Sequence, residues 1–135
     1  MEAKTIQKYK KYSVPKLIEI ATRHCNKYIR LRDDGKPCVS CDSYSVLEAG
    51  HFYSGGHYSS LRFHENNIHG QCKRCNSHLH GNLNEYRKNI TNRISIGDLS
   101  ELDFNVSMYK RTLFKWDRFD LIEIIEKYKQ KIKEL

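Results

Sequence analysis

The sequence predicts a small α+β protein, a strand–strand–helix core stapled by zinc and flanked by helices. Three observations carry this reading. The pairs Cys38/Cys41 and Cys72/Cys75 are each spaced C-x2-C, with 30 residues between them. Apolar residues recur at helical spacing on both sides of that segment, while its middle is rich in glycine, histidine and asparagine. The chain has 135 residues, 39% of them hydrophobic, which suits one modest core that gains from a metal staple.

The cysteines come first because they constrain the most. Each C-x2-C pair presents two thiolates from one tight turn, and two such turns complete a tetrahedron. Soft thiolates select zinc over magnesium. A closed four-sulfur site leaves no position for substrate, so this zinc is structural. An iron–sulfur cluster, or four unrelated thiols, is the alternative reading. Cys25 belongs to no motif and is expected near the core. The odd count of five cysteines argues for a reducing, intracellular compartment rather than a secreted disulfide framework.

The elements follow in chain order. Ser13 caps a first helix, Pro15 suits its first turn, and Leu17, Ile20, Ala21, His24, Tyr28 and Leu31 follow at helical spacing. Asp33-Asp34-Gly35-Lys36-Pro37 ends it with turn chemistry. Residues 45–53 read as a strand, Gly55-Gly56 as a turn, and residues 58–63 as a second strand, with Asn66-Asn67 breaking the pattern. A helix starts at the second cysteine pair and runs past Gly81 through Leu83, Tyr86, Ile90 and Ile94, with a break near Gly81 and Asn82. Residues 97–104 read as a short helical turn, and 110–116 are ambiguous. Asp117 caps a last helix whose Leu121, Ile122, Ile124, Ile125, Tyr128 and Ile132 form either a core stripe or a dimer interface. The chain thus divides into a basic amino-terminal helical region (1–37) packing on the core, the zinc-stabilised core (38–96) and a carboxyl-terminal helical extension (97–135).

Lys and Arg number 24 against 16 Asp and Glu, a formal charge of +8. That excess favours polyanions, nucleic acid above all. Residues 1–37 carry most of it, net +6, and the exposed side of their helix offers Lys16, Arg23, Lys27 and Arg30 as phosphate contacts. No run is apolar enough to span a membrane, and the polar, lysine-rich start reads as no signal peptide.

The chemistry lies beside the cysteine pairs. His51, near the end of the first strand, suits a general base because imidazole titrates near neutrality. Asn76 directly follows the last zinc cysteine, and its amide oxygen suits a hard cation such as magnesium or manganese. Asn67 is placed to orient His51 or to tie down its own loop. Arg62 would clamp a phosphate with a bidentate guanidinium. Lys73 and Arg74 face outward between cysteines as backbone-phosphate contacts. Taken singly, each residue also has a bland reading, such as a turn former, a helix cap or a surface ion pair. Residues alone therefore reach metal-assisted action on nucleic acid.

The set Cys38, Cys41, Gly50-His51, Asn67, Cys72, Cys75-Asn76 resembles the HNH, or His-Me finger, nucleases, in the four-cysteine variant of the endonuclease VII type. The strings YIRLRDDGKPCVSC, EAGHFYSGG, LRFHENNIHGQCKRCNSHLHGNLNEYR and EIIEKYKQKIKEL resemble the NinG/Rap family of phage recombination nucleases. That resemblance implies a ββα-metal core, with His51 as general base, Asn67 as the middle Asn of the pattern and Asn76 as a catalytic-metal ligand. It also implies structure-selective, Mg2+- or Mn2+-dependent hydrolysis of branched DNA such as Holliday junctions or D-loops. The setting would be the cytoplasm of an infected or prophage-bearing bacterium, and a homodimer would suit paired cuts. A long charged amino-terminal extension carried by some relatives is expected to be absent.

One position departs from the pattern: many HNH sites have Asp immediately before the histidine, and here that position is Gly50. Either Glu48 or His80, four residues after Asn76, would complete the metal shell. His78 is the weaker ligand, and His57, His64 and His69 read as loop or surface residues, His57 being close enough to the glycines to touch a phosphate. The alternative to an enzyme is a non-catalytic zinc module that binds nucleic acid.

Overall fold

The structure is a computed structural model and describes residues 1–109 and 114–135, so part of the ambiguous 110–116 segment lies outside it. Helix α1 (Ala3–Lys8) precedes α2 (Val14–Arg32). Ser13 caps α2 as expected, accepting from the Lys16 N–H at 3.3 Å, and Pro15 stands where a missing N–H costs nothing. Helix α5 (Arg118–Lys133) is capped by Asp117, which accepts from the Asp120 N–H at 2.9 Å.

Helices α2 and α5 pack on each other and build the larger core. Leu17, Ile20, Ala21, Cys25 and Ile29 of α2 meet Leu121, Ile122, Ile125 and Tyr128 of α5. Each such aliphatic side chain, fully buried, stabilises by about 1.5–3 kcal/mol. Of the two readings of the apolar stripe of α5, core stripe and dimer interface, the packing selects the core: Leu121, Ile122, Ile125 and Tyr128 are buried within the chain. Cys25 is fully buried, as expected. Leu31 is 45% exposed, because Ile29 rather than Leu31 takes the buried position of the last turn.

A two-stranded antiparallel sheet carries the site. Strand β1 (Leu47–His51) is shorter than the predicted 45–53. The second strand is not 58–63. Those residues form a 3-10 turn, Ser59–Leu61, and its exit, while β2 is Ile68–Cys72. The reason is burial on both sides. All five residues of β2 are buried, so Ile-His-Gly-Gln-Cys shows no alternation to read. Gly70 permits this packing. A Cβ there would lie 2.5 Å from Leu47 Cδ1 and 3.2 Å from Asp33 Cβ. Register pairs Glu48 with Gln71 and His51 with Ile68.

The second cysteine pair straddles the end of β2: Cys72 closes the strand, and a single π-turn, Arg74–His78, carries Cys75. His80, Gly81 and Asn82 then all have positive φ, and α3 (Leu83–Asn89) starts afresh. The expected break is therefore present. Helix α4 (Ile96–Met108), begun by a Ser95–Asp98 capping box, is longer than the predicted 97–104. A second core of Val39, Phe52, Leu61, Tyr86, Ile90 and Leu102 ties α3 and α4 to the sheet side of the site. Among the described residues no helix is long and apolar enough to cross a membrane.

Candidate active site and metal centre

Four sulfurs meet where both cysteine turns face the start of β1. Cys38, Cys41, Cys72 and Cys75 have their sulfurs all within 4.8 Å of one another. Zinc–sulfur bonds of about 2.3 Å in a tetrahedron put sulfurs about 3.8 Å apart, and Cys41 Sγ lies 3.8 Å from Cys72 Sγ. The donor set therefore fits zinc. The Ser43 hydroxyl, 3.0 Å from Cys41 Sγ, pulls that thiol down to about 6. Burial pushes the Cys38 and Cys75 thiols up, a penalty a dication would reverse. The Cys75 N–H and the Asn82 side-chain amide each lie 3.4 Å from a cysteine sulfur, Cys72 and Cys75 respectively.

This clamp sets Asn76. Its side-chain amide donates to Glu48 Oε1 at 2.9 Å. The remaining Asn76 Oδ1 and Glu48 Oε2 are oxygen donors of the kind a hard cation takes. The structure also explains Gly50. A Cβ there would stand 2.1 Å from Gln71 Oε1, because Gln71 fills that space while donating to Ser40 Oγ at 2.9 Å and to the Gly81 carbonyl at 2.6 Å. Side chains two apart on a strand share a face, so Glu48 supplies a carboxylate on the face where residue 50 has none. His80 is placed differently. Asn76 lies in a π-turn that ends at His78, not in the regular helix that would stack His80 on it, and His80 is exposed in the left-handed break.

His51 closes β1. Its Nε2 lies 2.9 Å from the Arg62 carbonyl. A carbonyl only accepts, so Nε2 carries the proton and Nδ1 keeps its lone pair. Burial lowers the pKa of this imidazole. The Arg62 carbonyl works against that shift and the Arg62 charge works with it. That shift favours the neutral ring. His51 opens onto a cleft of about 750 Å³ shared with Tyr53, His57, Tyr58, Asn84 and Arg87. Its ring makes no hydrogen bond to Glu48, Asn76 or Asn67.

Asn67 is fully buried. It accepts from the Tyr53 N–H at 2.8 Å and donates to the carbonyls of Tyr53 at 2.8 Å and Leu61 at 3.2 Å. Its amide is used up in tying together both ends of the loop after His51, which is a positioning part. Arg62 sits at the end of a 3-10 turn, not on a strand. Its chain covers Gly55, its Nε is buried without a partner, and burial lowers its pKa. Lys73 and Arg74 are exposed, as are Lys16, Arg23, Lys27 and Arg30 on α2.

Some residues that hold the site carried no sequence signal. Asp33, read as a turn former, is buried. Its carboxylate accepts from Arg32 at 2.8 and 2.9 Å and from the Gly70 N–H at 2.7 Å. Burial alone would raise that carboxyl, but these bonds outweigh it and hold it low. The Tyr86 hydroxyl donates to the Gly50 carbonyl at 2.7 Å. His69, expected at the surface, is buried between Arg32 and the Asn66 carbonyl.

Residues 2–135 match the family described as Bacteriophage Lambda NinG protein. The chain belongs to the NinG family. Its relatives include protein ninG of Salmonella phage P22, 38% identical over 120 residues and 87% of this chain. The ninG proteins of Escherichia phage 933W and Escherichia phage lambda are 37% and 35% identical over the same share. The chain spans 56–57% of the length of these relatives. No solved structure matches it significantly. The NinG assignment and the four-cysteine cluster agree with the expected zinc-stabilised α+β core.

Proposed function

We propose that this NinG chain is a metal-dependent, structure-selective DNA endonuclease, hydrolysing phosphodiester bonds in branched recombination intermediates such as Holliday junctions or D-loops. The observation that carries the reading is the Glu48–Asn76 hydrogen bond. It joins the residue after the last zinc cysteine to the strand that ends in His51. His51 Nδ1 takes a proton from water, and the water oxygen forms a bond to phosphorus as the bond to the leaving oxygen breaks. Arg62 binds the phosphate's charge with its uncommitted guanidinium. A Mg2+ or Mn2+ ion held by Asn76 and Glu48 supplies charge stabilisation when bound. Lys73, Arg74 and the α2 stripe hold the flanking backbone without reading sequence. The setting is the cytoplasm of a phage-bearing bacterium, and a homodimer would place two such sites on one junction.

The test is a labelled four-way junction and a matched duplex incubated with the protein in Mn2+, in Mg2+ and without divalent ions. Cuts confined to the branched substrate and to the metal-containing reactions are expected, and His51→Ala should bind the junction but not cut it. Tight binding without cuts in every metal would replace the nuclease with a zinc-stabilised nucleic-acid-binding module.

A further inference from the structure

A second groove, about 620 Å³, lies between the end of α2 and the loop that leaves the first cysteine pair. Its chemistry differs from that of the His51 cleft. Tyr44 stands in it 78% exposed, beside Val46 at 91% and Leu31 at 45%. Tyr44 has no aromatic or hydrogen-bonding partner among the described residues. The loop beneath it is stiff, since Ser43 accepts from the Cys38 N–H at 2.9 Å and its hydroxyl meets Cys41 Sγ. The cysteine turn therefore anchors the backbone that presents this aromatic side chain to solvent.

The charges around this face are mostly positive. Lys27, Arg30 and Lys36 line the groove with a single carboxylate, Asp34. Lys27 and Arg30 make no ion pair among the described residues. They continue the exposed stripe from Lys16 and Arg23, so a phosphate backbone following that stripe runs into the groove. An apolar peptide would gain nothing from these cations. A duplex hides its base faces in its own stack, whereas an unpaired strand offers them.

We infer that this groove binds single-stranded DNA, with a base stacked on Tyr44 and its backbone held by Lys27 and Arg30. Resting on the nucleic-acid part of the proposed function, it gives NinG a means of gripping the unpaired strand at a branch.

The test is fluorescence anisotropy of a labelled oligothymidine and of a duplex of equal length, without divalent ions, so that binding is read apart from cutting. Tyr44→Ala should weaken oligothymidine binding about tenfold, leave duplex binding within twofold, and keep the melting midpoint. Tyr44→Phe should bind like the parent, and a Lys27→Ala/Arg30→Ala variant should show a shallower salt dependence. Equal losses on both DNAs, or none on oligothymidine, would overturn the inference. So would a dimer that Tyr44→Ala converts to monomer, which would make a second copy the occupant. A protein that never cuts, yet loses oligothymidine on Tyr44→Ala, supports the groove while removing the nuclease reading.

Discussion

The Asn76 side chain donates to Glu48 Oε1 at 2.9 Å, across 28 residues of sequence. The bond leaves one oxygen on each side chain, and it joins the zinc turn to β1. Glu48→Gln keeps the size and an acceptor for Asn76 but removes the charge a cation needs. Cleavage should fall about 10–100-fold with a raised Mn2+ requirement, while junction binding holds. Single-turnover rates across a Mn2+ titration measure this. An unchanged titration would remove Glu48 from the metal shell, and His80→Ala in the same assay would then show whether that residue takes its place.

The pH profile should report His51. Burial lowers its pKa below the ordinary imidazole value of 6.5, and the neutral form is the base. Activity is therefore fully present above that range and is lost as pH falls through the lowered pKa. The acid limb of kcat/KM should lie below pH 6.5 and disappear into the background with His51→Ala. A limb above 6.5 would mean that a different group titrates.

Much of this was legible in the sequence, for reasons that differ by element. The caps Ser13 and Asp117 and the stripes of α2 and α5 follow local rules, so they were readable. So was the break at Gly81, where only backbone freedom is at stake. Strand β2 was hidden because both its faces are covered. Leu61 and Phe63 mimicked strand alternation, yet they are buried from a 3-10 turn and its exit. The zinc ligands are a matter of local spacing. The Glu48–Asn76 contact depends on which face of β1 each residue takes, and the part played by Gln71 in filling the space over Gly50 has no local signature at all.

Asn67 bridges both ends of the loop after His51 with three hydrogen bonds. Replacing it by alanine leaves the half-buried Tyr53 N–H and carbonyl without partners, at about 1–3 kcal/mol for each orphaned group, while the Leu61 carbonyl still accepts from the His64 N–H at 3.2 Å. Asn67→Ala should lower stability by several kcal/mol in urea denaturation, and residues 53–61 should lose protection in hydrogen exchange. Retained protection there would mean that the loop is held from elsewhere.

His69 makes the protein acid-labile. Burial lowers its pKa from 6.5 to about 4, and its Nδ1 faces the Arg32 guanidinium at 3.4 Å. Above pH 6.5 neither the folded nor the unfolded chain protonates this ring. Between 6.5 and about 4 only the unfolded chain does, so stability falls across that window, by on the order of 3 kcal/mol, and levels below it. Urea midpoints at pH 7.5 and 4.5 should differ accordingly, and His69→Gln should flatten the slope. An equal slope in the variant would place the acid sensitivity in other groups.

Zinc and the second metal should separate cleanly. Cys72 ends β2, Cys38 hydrogen-bonds the loop before β1, and Cys75 precedes Asn76. The clamp therefore joins the elements of the site to one another, and a core this small has little else to hold them. One zinc per chain is expected by atomic absorption. Stripping it with a thiol-directed zinc chelator should abolish the cooperative thermal transition and all cutting, and Cys41→Ser should mimic this in part. Omitting Mg2+ and Mn2+ from zinc-loaded protein should leave the melting midpoint in place and abolish cutting alone. A zinc-free chain that still melts cooperatively at the original temperature would show that the four cysteines are not what holds Asn76 against β1.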